Sequence, residues 1–174
     1  VPNDQYIYEF KRKAFLNGLE ISGTGVRNDF ANSDISIREK DLNLIEAWCA
    51  VTSKLGAPLL RVFPGKEIKD GRNKKAVIKQ VITELSKACK IGEKYGVMLA
   101  LQNHNDFLKS SEEIIEVLTS VDSKWLGLHL DIGSLAERDP YEEIERLIKY
   151  AITWQIKELV WIKQKKSPVD YARL

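Results

Sequence analysis

The feature that most constrains this chain is an alternation that runs along its whole length. An amphipathic helix pattern gives way to a short apolar run. A polar loop follows, and then the next helix pattern. Repeated strand–helix units of this kind bury a parallel sheet under helices, which makes the chain α/β. The spacing predicts a helix from Pro2 to Leu16, with Tyr6, Ile7, Phe10, Ala14 and Phe15 on one side and Gly18 past its end. A strand over Leu19 to Ser22 and a loop over Gly23 to Asn32 are expected next. A helix from Ile37 to Leu55 precedes a strand from Pro58 to Phe63, which stops at the turn signal Pro64-Gly65. A long helix from Lys74 to Tyr95 leads to a strand from Val97 to His104.

Ser110 and Glu113 have capping-box spacing and open a helix to about Val121. A strand from Leu126 to Ile132 follows. Asp139-Pro140-x-Glu142 supplies an N-cap, a first-turn proline and an acid for a helix to about Ala151. A fifth strand is expected over Ile152 to Val160, and Ser167-Pro168-x-Asp170 reads as the start of a further helix. No linker or low-complexity tract divides the chain, so residues 1–174 read as one domain. Five strands are fewer than an eight-fold barrel of about 250 residues holds. The expectation is therefore an incomplete barrel, short of roughly two strands before Val1 and one after Leu174. A complete five-stranded open sheet is the alternative. An incomplete barrel would expose two sheet edges, and a homo-oligomer is expected on that ground.

Side chains at i and i+2 of a strand share a face, and ligands of parallel α/β folds lie beyond the strand C-termini. The strand ends here carry Glu20 and Ser22, Arg61 and Phe63, Gln102 and His104, His129 and Asp131, and Gln155 and Lys157. Glu158 has the opposite parity. Polar residues inside strands covered on both faces are costly unless paired or used. The bland reading is a hydrogen-bonded network filling a barrel interior, with Glu20–Arg61 a structural ion pair and His129 a satisfied core histidine. The functional reading is a site for a small polyhydroxylated molecule. In it Asp131 binds a metal or moves a proton, Lys157 and Arg61 stabilise an oxyanion, and His104 donates a hydrogen bond or shuttles a proton. Gln102 and Gln155 ligate or read hydroxyls, and Asn103, Asn105 and Asp106 extend the polar surface. Gly23-Thr24-Gly25 is only loosely like a phosphate cradle.

The net charge of +2 supplies no field for nucleic acid or an anionic membrane, and neither partner is expected. Cys49 and Cys89 have no metal or redox spacing and read as buried small hydrophobes. A cytoplasmic setting is the resulting expectation.

Gly18-Leu19-Glu20-Ile21-Ser22-Gly23, Leu55 to Phe63, Leu101-Gln102-Asn103-His104, Leu130-Asp131-Ile132-Gly133 and Gln155-Ile156-Lys157-Glu158 together resemble the xylose-isomerase-like TIM barrels. That superfamily holds sugar (phosphate) isomerases and epimerases and the type IV apurinic endonucleases. The resemblance implies a sugar or sugar-phosphate substrate, proton abstraction beside a carbonyl, and a divalent metal (Mn²⁺, Mg²⁺, Co²⁺ or Zn²⁺). The metal is held by Glu, Asp, His and Glu at the last four strand ends. By motif, those positions fall on Gln102, Asp131 and Gln155, with the last Glu beyond Leu174; Gln102 stands where the usual base would be, so the missing Glu is expected to act as base here. Ser134 stands where the family often has His. The leading reading gives catalytic roles to Asp131, which orients substrate or metal, to His104 and Lys157, which polarise oxygens, and to Glu158 as a weaker acid/base candidate, with substrate contacts from Glu20, Arg61, Gln102, Asn103 and Gln155. A keto-sugar lyase and a non-catalytic sugar-binding barrel are the alternatives. The endonuclease branch is disfavoured, because it needs a His-rich zinc cluster and this chain has two histidines.

Overall fold

The computed structural model describes residues 1–104 and 107–174. Helix α1 (Asp4–Leu16) is capped by the Asn3 side chain, which accepts from the Tyr6 amide at 2.9 Å. Helix α2 (Ile35–Leu55) is capped by Asp34 and begins two residues before its expected start. Helix α3 (Lys74–Tyr95) has the expected bounds. Helix α4 (Ser111–Val121) begins at Ser110, whose hydroxyl accepts from the Glu113 amide. Glu113 reaches back to the Lys109 amide. Helix α5 (Pro140–Leu147) is capped by Asp139 and passes into a 3-10 turn over Ile148–Tyr150.

Five parallel strands lie in chain order, each beside the next: β1 (Thr24–Gly25), β2 (Leu59–Val62), β3 (Met98–Gln102), β4 (Leu126–Asp131) and β5 (Ala151–Gln155). One face carries Leu60, Val62, Leu99, Leu101, Leu128 and Leu130, all fully buried. These pack with Ile45 and Cys49 of α2, Val81, Leu85 and Ala88 of α3, Ile114 and Val117 of α4, and Leu147 of α5. This helix-covered layer is the core. The other face of the sheet carries the polar set. Burial pushes the Cys49 thiol up to about 12 and the Cys89 thiol up to about 11, consistent with two inert packing residues.

Three expectations are corrected. First, Leu19–Ser22 is not a strand. The Leu19 amide closes back on the Ala14 carbonyl after Gly18, so Leu19 finishes the helix end, and Glu20–Ser22 carry no ladder pairing. The ladder begins only at Thr24, opposite Leu60. Second, most of the apolar side of α1 faces outward. Only Ile7 is buried, while Phe15 is 80% exposed.

Third, the fifth strand is shorter and no further α-helix follows it. After Gln155 the chain leaves the sheet. It then makes an antiparallel hairpin of β6 (Leu159–Ile162) and β7 (Lys165–Pro168), with Trp161 opposite Lys166. Lys163 (φ 50) and Gln164 (φ 63) form its two-residue turn. Both lie in the left-handed region, where Asn-Gly is the usual signal, so nothing in Lys-Gln announced the hairpin. Pro168 sits at the end of β7, where a missing amide is tolerated. Asp170 does cap, but only a 3-10 turn over Tyr171–Arg173. Among the described residues, no helix is long and apolar enough to cross a membrane.

Candidate active site

Strand register brings the polar residues together. Gln102 lies opposite His129, and Asp131 lies opposite Gln155. The second pairing depends on an irregularity. Leu128 pairs with Ala151, but His129 pairs with Thr153, so Ile152 is the extra residue of a β-bulge. Without the bulge, Trp154 would face Asp131. With it, Gln155 does. Gly127 makes room, because a Cβ there would lie 2.5 Å from Ile152 Cγ2.

Asp131 is fully buried, and both its carboxylate oxygens are engaged. Oδ2 accepts from Gln102 Nε2 at 2.9 Å and from Ser134 Oγ at 3.0 Å, and it meets the Lys157 ammonium at 3.1 Å. Oδ1 accepts from the Gly133 amide at 3.1 Å. Gln102 Nε2 also donates to Gln155 Oε1 at 2.9 Å, which fixes how its amide is turned, since both neighbours are acceptors. His129 Nε2 lies 3.4 Å from the same Gln155 oxygen. Burial holds the His129 pKa below the ordinary imidazole value. The Gln155 contact opposes that shift, and the positive charge of Arg61 adds to it.

A second group lies across the sheet. Phe63, just past β2, has the Arg61 guanidinium 5.0 Å and the Arg27 guanidinium 5.6 Å from its ring centre. His104 meets the ring edge-on at 5.8 Å. Asn28 holds Phe63 in place, accepting from its amide at 2.8 Å and donating to its carbonyl at 2.7 Å. Asn103 treats Asp131 in the same way, so the same clamp occurs at two adjacent pairs of strand ends.

A cavity of about 570 Å³ opens beyond the ends of β4 and β5. It is lined by Gly133, Gln155, Lys157, Glu158, Trp161 and Lys166, among others. The Lys157 stem reaches Asp131 by crossing Gly133, where a Cβ would stand 2.7 Å from Lys157 Cδ and 3.1 Å from the Leu159 carbonyl.

The structure therefore joins Gln102, Asp131, Gln155 and Lys157, and it sets Arg61 and His104 in a separate group. Glu158 shares the cavity with Lys157. The parity argument against it does not apply, because β5 ends at Gln155. Glu20 is exposed and off the sheet, and no ion pair joins it to Arg61 among the described residues. The Asn103 side chain is committed to the Asp131 backbone. Gly23, Thr24 and Gly25 line a separate cavity of about 350 Å³ with Arg61 and His129. Thr24–Gly25 is β1, and Gly25 packs on the Arg61 guanidinium. Asn105 and Asp106 lie outside the described residues. Sequence reasoning missed Asn28, Trp161 and Lys166. Only the repeated strand-end Asn pattern could have pointed to Asn28.

A family model described as the xylose isomerase-like TIM barrel matches residues 1–170. The chain belongs to that family. No curated protein sequence matches it. Solved structures share the barrel fold. They include a D-psicose 3-epimerase from Clostridium cellulolyticum H10 (TM-score 0.74, 20% identity, 86% of this chain and 56% of that one). An L-ribulose 3-epimerase also matches (TM-score 0.78, 18% identity, 87% and 55%). So does a probable 3-DHS dehydratase from Bacillus anthracis (TM-score 0.75, 18% identity, 90% and 58%). The chain thus spans little more than half the length of these three structures.

The barrel family's expected metal can be tested against the donors present. Gln102, Asp131 and Gln155 do come together, but they form one carboxylate and two amides. Gln102 turns its NH₂, not its oxygen, toward the carboxylate, and an ammonium already sits on Asp131. Among the described residues, no group of three or more His, Cys, Asp or Glu could hold a metal ion. Hard divalent ions want several anionic or carbonyl oxygens, and this donor set does not fit one.

Proposed function

We propose that this chain carries the site of a sugar isomerase/epimerase-like enzyme that moves a proton beside the carbonyl of a sugar or keto-sugar. One observation carries the reading. The Lys157 ammonium, anchored on buried Asp131, lines a cavity at the ligand-binding end of the sheet together with Gln155 and Glu158. An ammonium held at a fixed point stabilises the negative charge that a carbonyl oxygen acquires when its α-carbon loses a proton.

In this reading the Glu158 carboxylate takes the α-proton. The C–H electron pair becomes the new C=C bond, and the carbonyl oxygen becomes the enediolate oxygen facing Lys157. Returning a proton to the same carbon from the other side gives an epimer, and returning one to the neighbouring carbon gives an isomer. Gln155 keeps its amide N–H groups for a substrate hydroxyl while its oxygen accepts from Gln102. Asp131 and Gln102 position Lys157 and Gln155. Arg61 and His104, grouped on Phe63, act on the far end of a longer substrate.

Exchange of substrate α-protons with D₂O, followed by NMR over a panel of ketoses and their phosphates, tests the reading. Exchange by the wild type that Lys157→Met abolishes supports it. No exchange on any ketose, with or without Mn²⁺, removes it. One observation favours a second reading, a sugar binder without turnover: Asp131 already takes four internal donors, three of them on Oδ2. Asp131→Ala separates the two, because a binder has no turnover to lose.

A further inference from the structure

We infer that the Lys157 ammonium takes, at Asp131, the charge-compensating place that the family resemblance gives to a divalent metal, so that this site is built to work without one. The inference deepens the proposed reading and rests on it only for the identity of the ligand.

Four observations converge. A carboxylate offers about four lone-pair positions. At Asp131 four donors are present, all between 2.9 and 3.1 Å: Gln102 Nε2, Ser134 Oγ and Lys157 Nζ on Oδ2, and the Gly133 amide on Oδ1. A cation at Oδ2 would have to displace one. Second, the two residues at the expected ligand positions are bonded to each other, and Gln155 spends its oxygen on Gln102. Turning Gln102 to offer its own oxygen would set that oxygen against Asp131 Oδ2 and Gln155 Oε1, two acceptors.

Third, the charges already balance. Asp131 is fully buried, and Lys157, 38% exposed at the cavity wall, neutralises it. A divalent ion added beside them would leave buried charge without a partner, which is costly. Fourth, the contact is built into the backbone. Lys157 reaches Asp131 across Gly133, a position where any side chain would collide with the lysine stem and the Leu159 carbonyl. The substitutions at Gln102 and Gln155, the Ser134 hydroxyl and the Lys157–Gly133 contact then form one device. A fixed ammonium supplies the positive charge, and amides and a hydroxyl hold its counter-ion.

Two measurements on the 174-residue chain test this, and neither reads turnover. In the first, free Mn²⁺ is followed by its EPR signal as wild type or Asp131→Asn is added. The expected result is that wild type removes no more Mn²⁺ than Asp131→Asn does, whether that is none or a little held elsewhere on the surface. Uptake of one Mn²⁺ per chain that Asp131→Asn abolishes would overturn the inference. The second is thermal unfolding of Lys157→Met, Asp131→Asn and the double variant. Lys157→Met is expected to lower Tm by about 5 °C, and Asp131→Asn placed in the same chain is expected to recover most of that loss. If Lys157→Met alone does not fold, recovery of folded protein in the double variant reads the same coupling. A double variant no more stable than Lys157→Met would show that Lys157 does not compensate Asp131.

Discussion

Asn103 grips Asp131 through both of its backbone polar groups, accepting from the amide at 2.7 Å and donating to the carbonyl at 3.0 Å. This contact continues the β3–β4 ladder past the point where the strands stop pairing. It also sets the direction of the carboxylate that anchors Lys157.

Asn103→Ala is therefore expected to destabilise the fold more than its place in a loop suggests. It strands a buried N–H and a buried C=O, each costing about 1–3 kcal/mol, so a loss of roughly 2–6 kcal/mol is expected in urea unfolding. Asn28→Ala, at the matching clamp on Phe63, should behave alike. A loss below about 0.5 kcal/mol in both would mean that the clamps are idle.

Gly133→Ala should act on the site and much less on the fold. The added methyl meets the Lys157 stem and the Leu159 carbonyl, so the ammonium is pushed off Asp131. Exchange of a substrate α-proton is expected to fall about tenfold or more, the size of one misplaced electrostatic group, with the circular dichroism spectrum unchanged. Wild-type exchange in this variant would mean that the Lys157–Asp131 contact is not used.

The lowered pKa of His129 fixes a sign for the pH dependence of stability. Its causes are burial first and the Arg61 charge as a further contribution, against the opposing Gln155 contact. The unfolded chain protonates this imidazole near pH 6.5, whereas the folded chain resists protonation until lower pH. Between those values the unfolded state binds more protons, so the His129 contribution is full above about pH 6.5 and shrinks as pH falls. Denaturation midpoints of wild type and His129→Asn between pH 5 and pH 8 check this. The wild type should lose stability on the acid side more steeply than the variant, and parallel curves would contradict it.

The β6–β7 turn holds Lys163 and Gln164 in left-handed backbone. Replacing the pair by Asn-Gly, which suits that geometry, should stabilise the chain by about 1 kcal/mol and raise Tm without moving the site. A lower Tm would place the hairpin turn elsewhere.

Much of this was legible from sequence where local chemistry and tertiary demand agree. Ser110 and Asp139 cap helices as their spacing implies, and α3 ends at Tyr95 before left-handed Gly96. Period-two alternation correctly put Gln102, Asp131 and Gln155 on one side of a sheet whose other side is leucine and valine. What stayed hidden depends on partners that are distant in sequence. Leu19–Ser22 has strand composition, but the Leu19 amide closes the end of α1 and the ladder starts only at Thr24. The bulge at Ile152 is set by register against β4. The Lys163–Gln164 turn lacks its usual residues, so the hairpin that brings Trp161 and Lys166 to the cavity could not be read. The Lys157–Asp131 contact needed the space above Gly133, which spacing rules do not show.

The most direct test of the central claim is α-proton exchange into D₂O, run on the ketose panel with EDTA present. Lys157, held on Asp131, is expected to support exchange by the wild type in EDTA at the rate seen with added Mn²⁺, and Lys157→Met is expected to abolish it. Exchange that appears only with Mn²⁺, or that survives Lys157→Met, would contradict the account.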